Sequence, residues 1–175
     1  GGIDRDNAER LLRRSVELAA QARDEVGGEG RWVAASVGPY GAALANGEEY
    51  VGRYGLSVER LAEWHLPRLE ILARAGADVL AIETVPDVDE AEALMCLLRR
   101  LGRPAWLSYT ISGTATRAGQ PLAEAFTVAA DVPEIVAVGV NCCAPADVLP
   151  AIQIAREVTD KAVIVYPNSG EEWDG

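Results

Sequence analysis

Ile135-Val136-Ala137-Val138-Gly139-Val140-Asn141-Cys142-Cys143-Ala144-Pro145 is the stretch that fixes how the rest of the chain is read. Its first six residues form a short apolar, β-branched run of the kind that fills a buried parallel strand. Ala144-Pro145 then opens a helix, since proline fits a first helical turn. Asn141, Cys142 and Cys143 fall between the two, at the carboxyl end of the strand, where α/β folds carry their chemistry. Other predicted strand ends also finish in polar groups, namely Ser36, Glu83, Ser108 and Asn168. Their convergence predicts a thiol-bearing site, suited to a metal, on a parallel α/β scaffold.

Working outward, Asp4 to Val26 carries apolar residues near the helical period and ends at Gly27-Gly28. Arg31 to Val37 reads as a strand, followed by a loop from Gly38 to Gly55 with five glycines and Tyr40, Tyr50 and Tyr54. Loops of that length in compact domains are usually functional or disordered, and its aromatics favour function. Ser57 is the N-cap of a helix reaching about Ala75, with a kink expected at Pro67. Strands follow at Asp78–Glu83, Ala105–Tyr109, Ile135–Val140 and Ala162–Tyr166, and helices at Asp89–Leu101, Pro121–Ala130 and Pro145–Thr159. Ser112 to Gly119 is expected to be a polar loop. Alternation of this kind gives a parallel sheet of about five strands. Periodicity leaves a doubly wound sheet and part of an eight-stranded barrel both open. The chain stops on Trp173-Asp174-Gly175 just past a strand, which favours an incomplete barrel.

Composition narrows the function classes. A net charge of -11 opposes nucleic acid and anionic membranes as partners. No apolar run approaches the roughly 20 residues that span a bilayer, and the charged N-terminus lacks a signal-peptide pattern. Three cysteines cannot all pair within one chain, so free or metal-bound thiols in a reducing, cytoplasmic setting are expected.

Thiolates are soft ligands that zinc binds well, although two small buried hydrophobes are the simpler reading of Cys142-Cys143. Adjacent residues at a strand end do not easily share one ion, so one ligand at most is expected there. Cys96 and His65 lie inside predicted helices, away from the strand ends, which leaves a three-ligand catalytic set incomplete; His65 reads as a surface or packing residue. Glu83 ends an apolar strand, where a carboxylate is costly unless it is paired or faces a ligand such as an ammonium group. A helix-anchoring role near Thr84 and Asp87 would account for it equally well. Ser36-Val37-Gly38-Pro39-Tyr40-Gly41 has neither the ending of a phosphate loop nor dinucleotide glycine spacing.

In order and spacing, VAASVGPYG (33–41), LANGEEYVGRY (44–54), HLPR (65–68), DVLAIETVP (78–86), GVNC (139–142) and VYPNSG (165–170) resemble the homocysteine S-methyltransferase family, nearest its S-methylmethionine-dependent branch. The resemblance implies a partial (β/α)8 TIM barrel, with this chain as a single incomplete homocysteine-binding domain over 1–175 that resembles strands three to seven. It implies a zinc held by three cysteines, of which Cys142 is one; the other two belong to a Gly-Gly-Cys-Cys segment absent from this sequence. It further implies that Glu83 binds the homocysteine amino group, with Thr84 and Asn141 shaping that pocket. Ser36 and Asn168 are expected as pocket-lining residues, and the Gly38–Tyr54 loop as a cover whose tyrosines face a sulfonium donor. Two other readings stay open: a homocysteine-binding module of a corrinoid-dependent methionine synthase, and a complete, non-enzymatic doubly wound ligand-binding domain.

Overall fold

The computed structural model describes residues 4–171; the Trp173-Asp174-Gly175 ending lies outside them. Helix α1 (Arg5–Val26) starts where the Asp4 carboxylate accepts the Asn7 N–H, and it stops at Gly27, whose φ of 65° suits glycine. Strand β1 (Ala34–Val37) leads into α2 (Tyr40–Leu44), a 3-10 turn (Glu48–Tyr50) and α3 (Val58–Arg74). Then come β2 (Val79–Val85), α4 (Val88–Leu101), β3 (Ala105–Tyr109), and a short antiparallel pair, β4 (Ile111–Ser112) and β5 (Ala115–Thr116). Helix α5 (Leu122–Ala130), β6 (Ile135–Asn141), α6 (Pro145–Val158) and β7 (Ala162–Tyr166) complete the order.

The five long strands form one parallel sheet in the order β1-β2-β3-β6-β7. Each new strand adds on the same side of the last. A doubly wound sheet must reverse direction at a switch point, and this sheet does not, so the doubly wound reading is set aside. One-directional addition through helical crossovers is barrel topology, and the five strands are part of a (β/α)8 barrel. The helices accordingly form one layer, in which α1 packs on α3, α3 on α4, α4 on α5 and α5 on α6.

Strand alternation divides the sheet into two faces. Ala35, Val37, Leu80, Ile82, Leu107, Tyr109, Val138 and Val140 join the helices in the apolar core. Each valine, leucine or isoleucine among them withdrawn from water is worth about 1.5–3 kcal/mol. Tyr109 anchors the layer by donating its buried hydroxyl to the Ala125 carbonyl of α5, 2.9 Å away. The opposite face carries Ser36, Ala81, Glu83, Trp106, Ser108, Gly139, Asn141, Ile164 and Tyr166, by their register across the sheet. Gly139 is required there: a Cβ at this position would overlap the carbonyl oxygen of Ile164 on β7.

Two local expectations change. The Gly38–Gly55 stretch is ordered by α2 and the 3-10 turn, and Ser112–Gly119 contains part of the β4–β5 pair. Helix α3 runs through Pro67 to Arg74, within a residue of the expected end. Ser57 does cap α3, its hydroxyl accepting the Arg60 N–H at 3.4 Å. No helix among the described residues is long and apolar enough to cross a membrane.

Candidate functional site

Strand β2 loses its regular register with β3 between Ile82 and Val85, which leaves Glu83 and Thr84 in an irregular strand end. Such irregularities re-aim side chains, commonly beside active sites. Thr84 takes a left-handed backbone with φ 59°, and Cys142, just past β6, does the same with φ 49°. For a β-branched residue this conformation is a genuine outlier, costing on the order of 1–3 kcal/mol unless its surroundings enforce it.

Asn141 enforces it. This side chain, only 1% exposed, reaches over β3, accepting the Thr84 N–H at 2.8 Å and donating to the Thr84 hydroxyl at 2.7 Å. Its amide also donates to the Cys142 sulfur at 3.2 Å, and the Thr84 hydroxyl reaches the same sulfur at 3.6 Å. Thr110, at the end of β3, donates its hydroxyl to the Cys142 carbonyl at 3.1 Å. Both amide hydrogens and the amide oxygen of Asn141 are thereby used. The half-buried Cys142 sulfur is left facing two donors, an environment suited to a sulfur bearing negative charge.

Beside this clasp stands the Glu83 carboxylate. It accepts the Ser36 hydroxyl at 2.5 Å and the Tyr166 hydroxyl at 2.9 Å, and Trp106 Nε1 donates to Tyr166 at 2.9 Å. Ser108 is fully buried next to the Tyr166 hydroxyl. Glu83 and Tyr166 belong to strands three positions apart, which in a flat sheet would separate them by about 14 Å. Their contact follows from a concave face. Burial first, then Glu83, pushes the Tyr166 hydroxyl pKa up, so it serves as a donor.

Of the residues singled out from sequence, Cys142, Asn141, Thr84, Glu83 and Ser36 come together. Asn168 does not join them through its side chain: its backbone N–H donates to the Cys143 carbonyl at 3.0 Å while the residue stays exposed. Cys143 points into the apolar core, 1% exposed, and burial raises its thiol pKa. Cys96 is exposed on α4. Tyr166 and Trp106 were missed as site residues, although period-two alternation from Tyr166 through Ile164 and Ala162 puts the tyrosine on the face of Asn141.

His65 is a packing residue, fully buried. Its Nδ1 accepts from Arg68 at 3.0 Å and its Nε2 donates to Glu90 at 2.8 Å. The same Glu90 oxygen accepts the Tyr40 N–H, and Arg68 donates to the Gly38 carbonyl at 2.6 Å. At the other end of the glycine-rich stretch, Asp87 accepts the Arg53 N–H at 2.7 Å and the Gln120 amide at 2.6 Å. Two carboxylates at the start of α4 therefore strap the loop down. Its tyrosines diverge, which corrects the expectation that they share one direction. Tyr40 packs edge-on against Tyr54 and Trp64, whereas Tyr50 stands beside the Cys142 thiol.

A one-directional parallel sheet with thiol, amide and carboxylate gathered at its carboxyl strand ends defines a barrel-type α/β protein with a strand-end site. The chain belongs to the homocysteine S-methyltransferase family, whose sequence model matches residues 1–175. It is 44% identical over 187 residues to homocysteine S-methyltransferase 4 of Zea mays, covering 98% of this chain and 55% of that protein. With homocysteine S-methyltransferase of Escherichia coli K12 the identity is 43% over 180 residues, covering 99% and 58%. The crystal structure of the homocysteine methyltransferase MmuM from Escherichia coli, in a metallated form, superposes with a TM-score of 0.91 at 42% identity, covering 97% of this chain and 61% of that one. The chain thus spans rather more than half the length of these relatives.

Proposed function

We propose that the protein containing this chain transfers a methyl group from a sulfonium donor, S-methylmethionine or S-adenosylmethionine, to homocysteine, giving methionine. Residues 1–175 supply an incomplete homocysteine-binding barrel domain within it. The observation that carries this reading is the Thr84–Asn141–Cys142 clasp, two strained strand ends locked together beside an oriented carboxylate. Strain of this kind persists where a site needs it. The family membership and the names of the relatives support the same chemistry.

A metal fits here in part. Cys142 offers one soft, half-exposed sulfur, but no three His, Cys, Asp or Glu side chains come together among the described residues. Cys142 is therefore proposed as one zinc ligand, with the remaining thiolates coming from a Gly-Gly-Cys-Cys segment of the kind the family resemblance implies. Zinc, when bound, makes a substrate thiol acidic enough to be a thiolate at neutral pH. A metallated form of the Escherichia coli relative is in keeping with this.

The chain's own groups bind and aim. Glu83, held by Ser36 and Tyr166, is placed to take the homocysteine ammonium. Thr84 and Asn141 fix the Cys142 sulfur and wall the pocket. In the transfer, the homocysteine sulfur forms a bond to the methyl carbon as the donor's C–S bond breaks. The bonding pair stays on the donor sulfur, which leaves as a neutral thioether, so no general acid is needed. Free thiols in all three cysteines accord with a reducing, cytoplasmic setting.

The test uses the complete polypeptide. Zinc content and methionine formation are measured for wild type, Cys142→Ser and Cys143→Ser. Cys142→Ser should lose both metal and activity, and Cys143→Ser should keep its metal. Equal metal loss in the two variants would overturn the ligand assignment, and absence of methyl transfer by zinc-loaded wild type would overturn the function.

A further inference from the structure

Arg117 follows β5, and its position comes from the same hydrogen bonds that hold the thiol. Its backbone N–H donates to the Thr110 carbonyl at 3.2 Å, while the Thr110 hydroxyl donates to the Cys142 carbonyl. One residue therefore roots both Arg117 and Cys142. The Arg117 guanidinium lies 5.7 Å from the centre of the Tyr50 ring, and Tyr50 stands beside the Cys142 thiol. Two segments far apart in sequence, the 3-10 turn and the β4–β5 pair, thus meet at the mouth of the site.

The guanidinium makes no ion pair with any carboxylate among the described residues, in a chain with 27 acidic and 16 basic side chains. Stacking on a ring occupies one face of a guanidinium and leaves its planar fork of N–H donors free, a shape that matches a carboxylate. The mouth therefore offers a carboxylate, Glu83, and a guanidinium, Arg117, both near one thiol. Those are the complements of the ammonium and carboxylate of a zwitterionic amino acid. We propose that Arg117, braced on Tyr50, recognises the α-carboxylate of an amino-acid substrate at the Cys142 mouth. The assignment rests on the methyl-transfer reading above and adds to it a residue selecting substrates that keep their carboxylate. Homocysteine and S-methylmethionine both carry one, and the experiment separates them.

In the complete polypeptide, kinetics and calorimetric binding are measured for wild type, Arg117→Ala and Arg117→Lys. Each substrate is paired with its decarboxylated analogue: 3-aminopropane-1-thiol for homocysteine, 3-aminopropyl-dimethylsulfonium for S-methylmethionine. Arg117→Ala should raise KM and weaken binding of one amino-acid substrate by about ten-fold or more, the scale of a lost charge-assisted pair, with kcat little changed. The matching analogue should be unaffected, and Arg117→Lys should recover part of the loss. A rise confined to S-methylmethionine assigns the contact to the donor, and one confined to homocysteine assigns it to the thiol substrate. Unchanged values for both substrates, or an equal rise for the analogue, would overturn the proposal. Inactive wild type would instead refute the methyl-transfer reading on which it stands.

Discussion

Glu83 and Glu90 lie seven residues apart, one at the end of β2 and one in the first turns of α4, and their surroundings are opposites. Glu90 is completely buried, and its partners are the chain itself: the His65 ring, the Tyr40 backbone and, nearby, the Arg68 guanidinium. Glu83 is half-exposed on the concave face, and its partners are two hydroxyls that orient it without neutralising it. The difference separates a carboxylate used to hold the fold from one kept available. A carboxylate sealed in the interior, one oxygen taken by a ring N–H and a backbone N–H, cannot be reached by a ligand. A carboxylate propped by hydroxyls at a strand end still lacks its cation.

Exchanging each for alanine tests that contrast most severely. Glu90→Ala strands the His65 Nε2–H and the Tyr40 N–H in the interior, and each buried donor left unsatisfied costs about 1–3 kcal/mol. Glu83→Ala leaves two hydroxyls that water can reach, so its cost should stay within about 1 kcal/mol. Urea unfolding should show a large fall in midpoint for the first and a small one for the second. Homocysteine binding should show the reverse ranking in protein that remains folded. Equal loss of stability in both would erase the distinction.

A smaller effect should appear on acidification. Burial holds the His65 pKa below its ordinary 6.5, against the opposing pull of Glu90, with Arg68 reinforcing the depression. The folded chain thus binds this proton less readily than the unfolded one. The stability His65 contributes is fully present above 6.5 and is lost as pH falls below that value toward the folded pKa. Unfolding midpoints between about pH 7.5 and about pH 5.5 should fall in wild type and fall less in His65→Gln. The same slope in both would remove His65 from the account.

These contrasts also mark where reading from sequence stops. Period and punctuation placed every long strand and helix, because apolar alternation and caps such as Ser57 are local. The sheet order is not local, and only that order separates barrel from doubly wound topology. Glu83, Asn141 and Cys142 were legible as a cluster because strand ends bring chemistry to one place, whereas Thr84 entered only through the family resemblance. His65 hid its partner twenty-five residues away, and the glycine-rich stretch gave no sign that Asp87 and Glu90 would tie it down. Asn168 shares a strand end with the site, yet the residue is exposed and it is its backbone that meets Cys143.

Tyr166 supplies the finest test. Its phenol, held by Trp106, contributes one of the two hydrogen bonds that aim Glu83, while Ser36 contributes the other. Tyr166→Phe leaves the ring packed against Trp106 and removes only the hydroxyl. One oxygen of Glu83 then loses its donor while the charge remains. Losing a single hydrogen bond to a charged group is worth about 1.5–3 kcal/mol at most, and water can replace part of it. Homocysteine affinity should therefore weaken by a few-fold to about ten-fold, well short of the loss in Glu83→Ala. Stability should change little, since Glu83 and Trp106 are both part-exposed and water can serve the carboxylate and the Trp106 N–H that lose the hydroxyl. If Tyr166→Phe equals Glu83→Ala in its effect on binding, the hydroxyl itself touches the ligand, and Glu83 is not the group that the other two side chains exist to orient.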